Sequence, residues 1–90
     1  MTEPGPDSLL QFPCEFPLKV FGRPGVEFEV AVLEIVRRHG ADLTEGAIRS
    51  RTSRNGNYLA LTITFEASSR QQLDAIYQDL SRCQAVVMAL

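Results

Sequence analysis

All five prolines of this chain lie in its first 24 residues (Pro4, Pro6, Pro13, Pro17 and Pro24), and the remainder has none. Proline fixes φ and removes a backbone donor, so it interrupts helices and interior strands alike. Regular hydrogen-bonded structure is therefore expected to begin late and then to run nearly unbroken. Within the proline-free stretch the hydrophobic period switches between 2 and 3.6, and the order of those switches decides the fold.

From Cys14 onward Phe16, Leu18 and Val20 alternate with Glu15, Lys19 and Phe21, the pattern of a half-buried strand. Gly22-Arg23-Pro24-Gly25 ends it, with Pro24 suited to a position just ahead of or within the first helical turn. The spacing then predicts a helix from about Gly25 to His39. Steps of 100° put Phe28, Ala31, Val32, Ile35 and Val36 on one side and Glu27, Glu34, Arg37 and Arg38 on the other. Glutamates come early and arginines late, which suits the helix dipole, and Gly40 is a natural left-handed terminator.

After a turn at Ala41-Asp42, Ile48, Ser50 and Thr52 alternate with Arg49 and Arg51 in a polar strand of edge type. Ser53-Arg54-Asn55-Gly56-Asn57 supplies an Asn-Gly turn of the kind a tight hairpin uses, since both residues tolerate positive φ. The next strand, Tyr58 to Ala67, turns Leu59, Leu61, Ile63 and Phe65 inward and Tyr58, Ala60, Thr62, Thr64 and Glu66 outward. Ser69 and Gln72 have capping-box spacing, with the glutamine expected to reach back to the cap. Leu73, Ile76, Tyr77 and Leu80 follow at helical spacing, and Ala85 to Leu90 reads as a short last strand.

The order β-α-β-β-α-β with two amphipathic helices specifies an α+β domain of ferredoxin-like type. It is a four-stranded antiparallel sheet in the order 4-1-3-2 with both helices on one face. Ninety residues, 44% hydrophobic and 22% charged, allow one small core. Residues 9–90 are expected to form it, with residues 1–8 as a disordered tail. Pro17 is awkward in a central strand, so firm pairing is expected only from Leu18 to Gly22, with a bulge or a free edge before it. Cys14 and Cys83 fall at opposite ends of such a sheet and read as reduced thiols.

One sheet face stays uncovered in this topology, and Lys19, Phe21, Arg49, Arg51, Tyr58, Thr62 and Thr64 are expected on it. A net charge of -2 argues against a general electrostatic grip on nucleic acid. No apolar stretch reaches the roughly 20 residues of a membrane span, and the first residues are acidic, so a cytoplasmic protein is expected. The single histidine, His39, is placed to cap the first helix rather than to bind a metal. Neither cofactor nor metal is expected. Acylphosphatases share the topology, but Glu29 stands where their phosphate loop needs an arginine. A protein without catalytic activity is the expectation.

Several segments carry a resemblance: Leu9 to Cys14, Phe16 to Gly22, Ser53 to Tyr58 leading into Leu61 to Thr64, Leu73 to Tyr77, and Val87 to Leu90. Together, in this order and spacing, they resemble the YbeD-like family of small bacterial proteins. The resemblance implies a domain similar to the ACT regulatory domains of amino-acid metabolism. It also implies a regulatory or small-ligand-sensing role linked to lipoate metabolism, a label that follows gene neighbourhood, and it brings no catalytic residues. Gly22-Arg23-Pro24-Gly25-Val26 looks like the strand-to-helix turn where ACT domains hold an effector, although Gly22 replaces their acidic or amide side chain.

Two candidate sites result. Lys19, Arg23 and Gly25 would hold a small carboxylate against the free N–H groups that open the first helix. Arg49, Arg51 and Tyr58 would form a partner face with Lys19, Phe21 and Arg54. RNA-recognition motifs use such a face, but the third strand lacks their aromatic spacing, so a homodimer contact is preferred to RNA.

Overall fold

The structure is a computed structural model and describes residues 11–44 and 46–90; the tail expected at 1–8 lies outside the described residues. The alternation from Cys14 builds β1 (Cys14–Gly22), and the two helical stretches build α1 (Val26–Arg38) and α2 (Arg70–Arg82). The remaining strands are β2 (Ile48–Thr52), β3 (Leu59–Ala67) and β4 (Val86–Ala89). They form one antiparallel sheet in the order β2-β3-β1-β4, which is the expected order read from its other edge. Leu18 and Val20 of β1 and Leu61 and Ile63 of β3 are fully buried beneath Phe28, Val32 and Val36 of α1 and Ile76 and Leu80 of α2. Ala31, expected on the buried side of α1, is half-buried, and Val26 and Val30 are exposed.

Pairing between β1 and β3 runs without interruption from Cys14 opposite Ala67 to Gly22 opposite Leu59, so it is regular earlier than Pro17 suggests. The Thr64 N–H donates to the Ala47 carbonyl, away from β1, and Lys19 exchanges both backbone hydrogen bonds with Leu90 on the β4 side. Alternation then directs the missing Pro17 donor to the β4 side. There β4 pairs only as far as Val20, Phe21 and Gly22, with a register shift at Phe21/Gly22. The free edge expected before Leu18 is real, but it exists on one side of the strand only.

Gly22 is the buried last residue of β1, not the loop breaker that its neighbours suggest. A Cβ there would run into the Phe28 ring and the Ala85 carbonyl oxygen. Glycine is required because a core aromatic and the approach to β4 both cross the strand at this point.

Local signals explain most of the element ends. Gly40, at φ +86, closes α1, with its N–H donating to the Arg37 carbonyl and the Ala41 N–H to that of Val36. The Ser69 hydroxyl accepts from the Gln72 N–H at 3.1 Å. The Gln72 carboxamide oxygen accepts from Ser68 at 2.8 Å, one residue before the cap, while its NH2 donates to the His39 carbonyl at 2.9 Å. That displacement lets one side chain both cap α2 and fasten it to the end of α1.

The hairpin between β2 and β3 is longer than a two-residue Asn-Gly turn. Gly56 has φ +73, whereas no described residue other than glycine has positive φ, so Asn55 does not share the left-handed turn. Ser53 closes the loop instead. Its N–H donates to the Tyr58 carbonyl at 2.8 Å, and its hydroxyl accepts from the Tyr58 N–H at 3.1 Å. Tyr58 therefore sits at the mouth of the hairpin, just before β3.

His39 caps α1 as expected and also reaches α2: its Nε2–H donates to Asp79 Oδ2 at 2.6 Å, with the Arg38 guanidinium 3.5 Å from the same oxygen. The histidine hydrogen bond holds the Asp79 carboxyl below the ordinary carboxylate range, aided by the charges of His39, Arg38 and Arg82 and opposed by partial desolvation. Because the folded value lies below the unfolded one, the stabilisation is complete above the ordinary carboxylate pKa. It is lost as pH falls through the folded value. Asp79→Asn is expected to lower the urea midpoint at neutral pH and to match the wild type in acid.

Candidate functional site

The cross-strand register assembles the open face in rows. Arg51 lies beside Ala60, Ala60 beside Phe21 and Phe21 beside Met88; in the next row Arg49 lies beside Thr62 and Thr62 beside Lys19. Neighbouring strands are about 4.8 Å apart, which puts the Lys19 and Arg49 backbones roughly 10 Å from each other across β3. Lys19, Arg49 and Arg51 line one shallow depression of about 520 Å3 floored by Phe21, Ala60 and Thr62. It adjoins a cleft of about 430 Å3 between Phe21, Arg51, Arg54 and Tyr58. Tyr58 is 47% exposed, which leaves its ring free to contact a partner.

Among the described residues none of Lys19, Arg49, Arg51 and Arg54 takes part in an ion pair. At the far end of the same face Glu15 stands directly opposite Glu66, and both are exposed and unpaired in the same sense. The uncharged Pro17–Thr64 pair separates the two ends. The face is therefore polarised along its strands, acidic where β1 begins and basic where it ends. Both glutamates read as outward-facing in the sequence, but only the β1–β3 register brings them together.

The other expected site divides. Arg23 and Gly25 line a hollow of about 510 Å3 with Val26, Phe28, Ala85 and Val87, at the start of α1. Lys19 is absent from it and belongs to the sheet face, because the chain leaves the sheet at Gly22 and turns toward the helix layer. Gly25 is the N-cap residue of α1 at φ +154, a conformation reserved for glycine, and no side chain caps the helix. The residues of the first helical turn line the hollow, and their N–H groups have no intrahelical partner.

Both cysteines are free thiols and partly buried, Cys83 as the C-cap of α2. Burial pushes the Tyr77 phenol above its ordinary pKa, as suits a ring in the helix-layer stripe. Among the described residues no three His, Cys, Asp or Glu side chains gather where they could hold a metal ion. No helix among them is long and apolar enough to cross a membrane.

Topology, helix placement and the uncovered sheet face define a ferredoxin-like α+β domain. The solution structure of protein HP0495 from H. pylori has the same fold, with a TM-score of 0.74 at 18% sequence identity, covering 100% of this chain and 98% of that one. A family described as a protein of unknown function (DUF493) matches residues 7–90. UPF0250 protein NE1487 of Nitrosomonas europaea is 43% identical over 90 residues, the full length of both chains. A UPF0250 protein of Chromobacterium violaceum is 46% identical over 82 residues, 91% of this chain and 92% of the other. The chain belongs to the DUF493/UPF0250 family, the YbeD-like proteins that its sequence resembles.

Proposed function

We propose that this protein is a non-catalytic regulatory module that acts by binding a protein partner through its open sheet face. The observation that carries the reading is the register. It gathers Lys19, Arg49 and Arg51 around Phe21, with Arg54 and Tyr58 at the margin, and leaves all four cations without a carboxylate among the described residues. Aromatic rings flanked by unpaired arginines are the composition of binding hot spots.

Arg49→Glu/Arg51→Glu tests it. Both positions are exposed, so stability should change by no more than about 0.5 kcal/mol for each substitution. Immobilised wild type should retain a partner that the double variant loses; equal retention by both would contradict the reading.

A second reading rests on the uncapped start of α1, where Arg23 and the free N–H groups suit a small carboxylate. Calorimetry with lipoate and octanoate separates the two. Heat that survives Arg49→Glu/Arg51→Glu and vanishes in Arg23→Glu would move the working surface to that end.

A further inference from the structure

We infer that the open face is self-complementary and that its occupant is a second copy of this chain. The inference builds on the partner-face reading above and names the partner. Two sheets stacked face to face are related by a two-fold axis lying in the plane between them. An axis running across the strands reverses strand direction, so the Glu15/Glu66 end of one copy falls over the basic end of the other. If that axis crosses at the Pro17–Thr64 row, Glu15 and Glu66 of each copy come to lie over the row of Lys19 and Arg49 of its neighbour. Symmetry makes the contact twice.

Three observations favour this occupant. The clusters carry opposite charge, and among the described residues neither has a counter-ion within its own chain. A generally acidic partner would meet repulsion from Glu15 and Glu66, and a generally basic one from the arginines; a copy of the same face satisfies both ends. The row at the crossing carries Pro17 and Thr64, with Ala47 beside Thr64, short side chains that let two sheets approach to the usual spacing of about 10 Å. Strands of nine, five, nine and four residues give on the order of 400 Å2 of sheet, below the roughly 800 Å2 per partner of a standard interface. A reversible dimer is therefore expected, weakened by salt that screens the charge pairs.

The test is sedimentation velocity on three proteins: wild type, Lys19→Glu/Arg49→Glu with two acidic ends, and Glu15→Lys/Glu66→Lys with two basic ends. Wild type should pass from the 10.0 kDa chain mass to twice that mass as concentration rises, and return toward monomer in high salt. Each variant alone should remain monomeric. An equimolar mixture of the two should form a heterodimer, because both contacts are then between opposite charges. Circular dichroism of each variant confirms its fold.

A wild type that stays monomeric at all concentrations would overturn the inference. So would a dimer that survives both sets of substitutions, or variants that fail to combine. A monomeric wild type whose lysate partner is still lost in Arg49→Glu/Arg51→Glu would leave the face reading standing and remove only the second copy.

Discussion

Phe28→Ala is expected to lower the unfolding free energy by about 3–5 kcal/mol. The ring is 1% exposed and heads the apolar side of α1, where it meets the end of β1 at Gly22 and closes the core toward the start of the helix. Truncation removes the transfer energy of the ring and leaves a cavity between helix and sheet. The surroundings collapse poorly, because Gly22 has no side chain to move into the space. A domain of this size has a total stability on the order of 4–12 kcal/mol, so the loss takes a large fraction of it. Urea denaturation followed by circular dichroism measures the change. A loss below about 1 kcal/mol would show that Phe28 is not packed as described.

Gly22→Ala should cost about 3 kcal/mol, at the upper end for overpacking by one methyl group. The added Cβ would lie 2.5 Å from the Ala85 carbonyl oxygen and press on two carbons of the Phe28 ring. The ring is held by the core, and the carbonyl belongs to backbone that delivers β4 to its place beside β1, so neither neighbour can give way cheaply. Hydrogen exchange should show the amides of Val86 to Ala89 losing protection first, since displacing Ala85 loosens the edge strand.

Combining the two substitutions should cost less than their sum, because removing the ring relieves one of the two clashes. Full additivity would contradict the contact between Gly22 and Phe28. The same crowding explains a departure noted in the sequence: an acidic or amide side chain, as ACT domains carry at this turn, has no room at position 22.

Features governed by local pattern were legible in the sequence. The alternation of β1 and β3, most of the inward residues of both helices, the Gly40 terminator and the Ser69 cap depend on neighbours within a few positions, and the structure places them as read, with Ala31 and Tyr77 only half-buried. The remaining features depend on distant contacts. Gly22 reads as a breaker because its partners, Phe28 and Ala85, arrive from other elements. Pro17 is tolerated because β4 is too short to reach it, which no residue near Pro17 reveals. Asp79 lies 40 positions from His39, and no sequence signal joins them.

The candidate sites follow the same division. Arg49, Arg51 and Lys19 meet because strand alternation and topology were both correct. Lys19 parts from Arg23 because the chain leaves the sheet between them. The acidic end of the open face needed only one further step, since Glu15 and Glu66 were already turned outward and the β1–β3 register alone makes them a pair.

The most direct test of the open face as the surface on which two copies of this chain meet is a series of amide 1H–15N spectra of the wild-type protein across a wide dilution range. Concentration-dependent shifts are expected at Glu15, Lys19, Phe21, Arg49, Arg51, Thr62 and Glu66, and they should fade together in high salt. Shifts confined to the exposed Val26 and Val30 of α1 or to the free edge of β4, or spectra that do not change with concentration, would contradict it.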